Sequence, residues 1–439
     1  MTTTIETSEQ LAAALRIASE LEHGLCCEYL FAAFTLRRTA NDFPPDVPEA
    51  DRLHVMTLTQ AWATQILMIA RQEMEHLAVV INLETALGQP PHLWRPNFPV
   101  PRGTYPMHAH LCLERLERTT LDRFLYYERP DYLAKEVQFD DPGCCGGTYQ
   151  PAKGHPLKSH GGLQFDSLQE LYAEIGNAYN GSGQLPAAEL FRGSAAAQVQ
   201  SGAVQWGNRV NVPQVTNRSQ AQAAIEQVVF EGEGIGENPT SPNSHFARFA
   251  AILESFEALQ REQLGIDVSL PVLCNPGAAK ITDPGAQKAM GLFDKGYFLM
   301  LAMLRGFFET YAGNFGTYPT FEGAAPNSAL FLEGFYPFMT MFIRPLGELI
   351  CRLPSGIDGK NAGPGFNLDG DPPGMRDREW YEDRLKELDR ESHELHAFLA
   401  DHEKKYGAAI VQAAEWQWQA LHRMLLNFPR LWETGVLNP

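Results

Sequence analysis

Glu73-Met74-Glu75-His76 sets a carboxylate and an imidazole one helical turn apart, so both project from one face of any helix that contains them. Read outward at helical spacing, that face runs Trp62, Ile66, Ile69, Glu73, His76, Val80, Leu83 and Leu87, an apolar stripe interrupted by the two polar groups alone. A carboxylate in such a stripe is costly unless it is paired, hydrogen-bonded or bound to a cation. A metal ion satisfies the carboxylate and a neutral imidazole together. Short Glu-x-x-His matches also arise by chance, so the reading depends on what the neighbouring segments supply.

The preceding helical pattern, Leu11 to Arg38, has the apolar row Leu11, Leu15, Ala18, Glu22, Leu25, Tyr29, and Glu22 is its one interruption. No basic residue lies a turn away on that row. Glu20, by contrast, has Arg16 four residues before it and reads as an ordinary solvated helix pair. A helix offering a Glu beside an antiparallel helix offering Glu-x-x-His is half of a di-iron carboxylate bundle, which needs a second such half from two more helices. The expected fold class is all-α: a four-helix bundle with a long loop-rich excursion and additional C-terminal helices.

The expected second helix, Thr57 to Gly88, is stopped by Gly88 and Pro90. Gln89 to Gly162 is rich in Pro and Gly, with a helical piece around Leu111 to Leu116, and is too long for a plain connection. Such an excursion over the mouth of a bundle can shape a substrate pocket. The third helix begins at Asp166 or Ser167 and carries Glu170 and Glu174. Ser167-x-x-Glu170 is a capping box, while Glu174 lies nearer the apolar stripe. The fourth helix, Ser219 to Glu233, places Glu226 and Glu233 on a row beside Ile225, Val228 and Val229. Ser244 caps a further helix whose first turn holds His245.

A length of 439 residues suggests two or three domains, expected as 1–265 for the bundle, 266–370 for a second helical unit and 371–439 for C-terminal amphipathic helices. The formal net charge of -18 argues against nucleic acid or an anionic membrane as the main partner. The most apolar stretches, Tyr297 to Tyr311 and Ala329 to Cys351, carry Arg305, Glu309, Glu333 and Arg344 and read as core helices rather than membrane spans. MTTTIETSEQ shows no secretory signal, and seven cysteines, an odd number, suggest reduced thiols; both point to the cytoplasm.

Several motifs have plainer readings. Cys26-Cys27 and Cys144-Cys145 are adjacent pairs, poorly placed to bridge each other. His393 and His396 have ligand spacing but lie among Arg384, Lys386, Glu387, Asp389 and Arg390, the pattern of a solvated helix. Gly232-x-Gly234-x-Gly236 follows no strand, so it is a poor nucleotide fingerprint.

Taken in order, Leu21-Glu22-His23, Tyr29-Leu30-Phe31-Ala32, Glu73-Met74-Glu75-His76-Leu77 with Asn82 and Leu87-Gly88, Glu231-Gly232-Glu233-Gly234, and Ser244-His245-Phe246-Ala247-Arg248-Phe249 resemble the ferritin-like domain family that includes the iminophenyl-pyruvate dimer synthases of violacein and rebeccamycin biosynthesis. The resemblance covers about residues 9–260, and Arg344-Pro345-Leu346-Gly347 to Ala362-Gly363-Pro364-Gly365-Phe366 resembles the segment that follows. It implies a ferritin-like bundle whose metal ligands or their close neighbours are Glu22, Glu73, His76, Glu233 and His245, with Glu170 from the third helix, and it prefers Glu233 to Glu226. Cys27 and Glu28 stand where many members have prolines, and the dimer synthases are longer chains.

The expected function is a non-haem di-iron oxidase or oxygenase acting on an amino-acid-derived or other small metabolite in a biosynthetic pathway. Iron, with manganese as a substitute, suits an oxygen-rich ligand set, and dioxygen is the co-substrate. Electrons would come from the substrate or a separate reductase. The later helices would pack on the bundle or on another subunit of a homo-oligomer. An iron-handling ferroxidase and an inactive helical scaffold are the alternatives. Tyr29, beyond Glu22, reads as a hydrogen-bond donor behind the site or as core packing.

Overall fold

The computed structural model describes residues 4–106, 110–133, 136–140, 163–180, 185–199, 205–206, 208–209, 211–232, 243–277, 281–311 and 330–429. Helix α1, Ser8–Thr35, starts at a capping box in which the Thr7 hydroxyl accepts the Gln10 N–H and the Gln10 side chain accepts the Thr7 N–H. Its row Leu11, Leu15, Ala18, Glu22, Leu25, Tyr29 is buried throughout. Helix α2, Glu49–Leu87, starts eight residues earlier than the periodicity suggests, because Pro48 suits the turn before a helix. It ends where Gly88 takes φ 83°, a left-handed cap that side chains disfavour. The two long helices pack against each other along their length.

Four shorter helices complete the bundle: α3 (Arg118–Tyr127), α4 (Leu168–Asn180), α6 (Arg218–Gly232) and α7 (His245–Arg261). Helix α4 lies on α1 and α6, α6 on α2, and α7 joins α2, α3 and α6. A one-turn helix α5, Ala187–Leu190, and a two-residue antiparallel pair, β1 (Gln205–Trp206) with β2 (Asn208–Arg209), fall between α4 and α6. The helical piece expected at Leu111 to Leu116 is extended instead: Leu111 and Val100 exchange backbone hydrogen bonds of 2.9 and 3.1 Å. The helix begins only at Arg118.

Beyond the bundle, α8 (Pro284–Tyr311) packs on α10 (Arg344–Ile350) and α11 (Arg378–Asp401). A run of π-helical turns around α9 (Tyr336–Phe338) leads into α10, and α12 (Glu403–Tyr406) turns the chain into α13 (Ala408–Asn427), which packs back along α11. Gly347 lets α10 approach α1 closely, since a Cβ there would stand 2.7 Å from the Phe34 ring. One apolar core runs continuously from Ile5 to Phe428 across these units.

At the α11–α13 contact His396 stacks on Trp418 and His393 meets the same ring at a tilt of 41°. Among the described residues Cys26, Cys27, Cys274 and Cys351 are free thiols, whereas Cys112 is in a disulfide, a correction to the expectation of reduced thiols alone. Cys144 and Cys145 lie outside the described residues. No described helix is long and apolar enough to cross a membrane.

Candidate metal centre

Helical periodicity turns Glu22 on α1 and Glu73 and His76 on α2 into the shared interface, and packing brings three more side chains to them. His76 Nδ1 lies 3.5 Å from both Glu22 and Glu73, and its Nε2 lies 3.2 Å from Glu231 near the end of α6. His245, the first residue of α7, has Nδ1 2.9 Å from Glu73 Oε1 and 3.5 Å from Glu128, the residue that ends α3. The two imidazoles stack with centroids 5.3 Å apart. Glu73 therefore faces both, with Oε2 towards His76 and Oε1 towards His245.

Two tyrosines fix the outer carboxylates. Tyr172 of α4 donates to Glu22 Oε1, and Tyr29 of α1 donates to Glu128 Oε1. Glu22, Glu73, His76, Glu128 and His245 are 3 % exposed or less, while Glu231 reaches solvent at 23 %. Burial and the charge of Glu73 push the Glu22 carboxyl up to about 7. Burial disfavours a charged His76, yet the hydrogen bonds it donates to Glu22, Glu231 and Glu73 hold it well above the ordinary imidazole value. Against the same desolvation, the charges of Glu73 and Glu128 lift His245 to about 9. Glu73 and Glu231 are desolvated too, but the imidazoles beside them keep both below the usual carboxylate range.

Two imidazoles cannot neutralise four carboxylates even when both are protonated. Glu73 Oε1 and both nitrogens of His245 are buried without a hydrogen-bond partner, although Glu73 and His245 are in contact, so these atoms are not aligned to satisfy each other. Glu73, His76 and His245 can each aim one ligand atom into a space where all three atoms lie within 4.8 Å of one another. Two divalent cations would balance the four carboxylates in charge and let both imidazoles bind in their neutral form. The donor set fits that group.

Glu22, Glu73, His76 and His245 are thus brought together. Glu170 is engaged at the start of α4, where it accepts the Asp166 N–H (2.8 Å) while Ser167 Oγ accepts its own (3.0 Å). Glu174 is half-buried beside Asn177, and Glu226 is exposed beside Gln222. Glu233 lies outside the described residues. Glu128 and Glu231 were missed, yet both continue buried rows, Leu121-Phe124-Glu128 and Ala224-Val228-Glu231, the same signal that marks Glu22.

A ferritin-like family model matches residues 15–254. The chain is 28% identical over 406 residues to dichlorochromopyrrolate synthase of Lentzea aerocolonigenes, a match covering 84% of this chain and 37% of that protein. It is also 28% identical over 406 residues to 2-imino-3-(indol-3-yl)propanoate dimerase of Chromobacterium violaceum, covering 86% of this chain and 35% of that one. The chain thus spans little more than a third of the length of these curated relatives. A solved ferritin-like protein from Caulobacter vibrioides aligns with a TM-score of 0.42 at 19% identity, over 76% of this chain and 97% of that one.

Proposed function

We propose, on the premise that the chain belongs to the ferritin-like family, that it is a non-haem di-iron oxidase or oxygenase acting on a small, amino-acid-derived metabolite in a biosynthetic pathway. The observation that carries this reading is the excess of buried carboxylates over imidazoles around Glu73. Four acids from α1, α2, α3 and α6 converge on two histidines in a dry interior, and cations resolve that excess where protein groups do not. The two relatives, one named a synthase and one a dimerase of an imino acid, support the substrate class.

In this proposal Glu22, Glu73 and His76 through Nδ1 would hold one cation, Glu73, Glu128 and His245 would hold the other, and Glu231 would orient the His76 ring from its Nε2 side. Bound iron supplies one-electron redox chemistry and open positions for dioxygen. Tyr172 and Tyr29 keep Glu22 and Glu128 oriented by occupying one oxygen of each. The near-complete burial of the remaining ligands keeps bulk water from the reacting atoms, and the Glu231 edge is where substrate meets the centre.

Elemental analysis of the purified protein, combined with oxygen-electrode traces, tests the reading. About two irons per chain with uptake that requires an aryl-substituted imino acid is the expected result. Uptake driven by ferrous iron alone would make the protein a ferroxidase. A chain that takes up no metal would make it a scaffold.

A further inference from the structure

The cluster meets solvent at one described edge, and that edge carries two guanidinium groups. Glu231 is its exposed member at 23 %, bonded to His76 at 3.2 Å. Gln72 precedes His76 by one turn of α2 and so shares its face. Gln72 Oε1 accepts a 3.1 Å hydrogen bond from Nη1 of Arg248, which lies three residues past His245 on α7. Arg71 stands beside them on α2, but its charge is matched by Glu75 at 2.9 Å. Half-buried Arg248 has no ion pair among the described residues. Burial weakens its charge, Glu231 supports it and Arg71 opposes it.

We propose that Arg248 anchors a substrate carboxylate at the Glu231 edge of the metal pair, and so sets the protein's preference for acids over neutral analogues. The inference rests on the di-metal reading above. Once two divalent cations balance the four carboxylates, Glu231 no longer has charge to spare for Arg248. The guanidinium, held by Gln72, is then left without a counter-charge among the described residues. A planar guanidinium binds a carboxylate through two parallel hydrogen bonds. The formal charge of -18 on the whole chain repels anions, so an acidic substrate needs a local cation of this kind.

The full chain loaded with Co(II) provides the test, with phenylpyruvate as the acid and benzyl methyl ketone as the matched probe in which methyl replaces the carboxylate. Binding is read from the cobalt absorption bands and from tryptophan quenching. Arg248→Gln should weaken phenylpyruvate binding roughly 10- to 100-fold, the usual range for losing a charged hydrogen-bond partner, and leave the ketone and the cobalt content unchanged. Arg248→Lys should recover part of the loss, and Arg71→Gln should change phenylpyruvate binding by less than about threefold. Equal affinity of wild type and Arg248→Gln for phenylpyruvate overturns the inference, as does a wild type that binds the acid no better than the ketone. Failure of the wild type to take up cobalt overturns the di-metal reading itself, and this inference with it.

Discussion

Helix α1 carries a buried polar cluster on each of two adjoining faces, and they solve the problem of buried charge differently. Glu22 belongs to the acidic cluster around Glu73. His23, one position and about 100° further round the helix, belongs with Cys27 to a cluster built around Arg95. Arg95 is only 1 % exposed and has no ion pair among the described residues. Its guanidinium donates to the carbonyls of Pro96 (2.9 Å) and Phe366 (2.7 Å), to the Tyr297 hydroxyl (3.3 Å) and to Cys27 Sγ (3.5 Å), and it lies 4.5 Å from the Phe98 ring centroid. Burial raises the Cys27 thiol and the Tyr297 hydroxyl, so both act as neutral dipoles. One cation can be met by many dipoles from the protein itself. Four converging carboxylates cannot, because each oxygen needs a donor or a cation and the two imidazoles and two tyrosines around them supply too few. Burial of polar groups alone therefore does not mark a metal site; a surplus of one charge does.

The sharpest way to break this contrast is to remove a ligand. Glu73→Gln should lower bound metal from about two cations per chain to fewer than one, measured by elemental analysis, because one side chain faces both imidazoles. Arg95→Met should keep its metal. It should instead cost about 2–6 kcal/mol in a urea titration, since two buried carbonyls lose their donor. Loss of metal from Arg95→Met at unchanged stability would merge the two clusters into one. A smaller effect is expected for Tyr172→Phe, which frees one oxygen of Glu22: metal affinity should fall about 10-fold in a chelator competition, with the fold intact.

The smallest effect belongs to a single Asp–Arg ion pair, backed by the Arg38 and Thr39 N–H groups, that serves as reference. Asp42 meets Arg352 at 2.8 and 2.9 Å. Burial works against its charge, but Arg352 outweighs it and holds the carboxyl below its ordinary value. A depressed carboxylate contributes stability that is present above its unfolded value, near about 3.9, and is lost as pH falls through its folded one. Urea midpoints from pH 5 to pH 2 should show wild type converging on Asp42→Asn as acid is added. A constant gap between them would mean the pair contributes no charge stabilisation.

Helix existence and the inward direction of Glu22, Glu73 and His76 were legible because a period of 3.6 residues assigns each side chain to a face, and an acid in an apolar row is visible without coordinates. The same periodicity was available for Glu128 and Glu231. It went unread because α3 was placed too early and because Glu231 is followed by Gly232 and the end of its helix. Glu170 illustrates the converse: a capping box and an inward ligand use the same residue type, and here the cap engages the side chain.

The chain's own pattern of residues determined that helices would form, which stripes would be apolar and which acids would interrupt them, since these follow from local geometry and the cost of wetting apolar surface. Only the tertiary structure decided which interrupting acids would meet. Convergence depends on where short helices such as α3 and α7 begin and end against the long pair, and that is set by packing between segments far apart in the sequence, which no local spacing encodes.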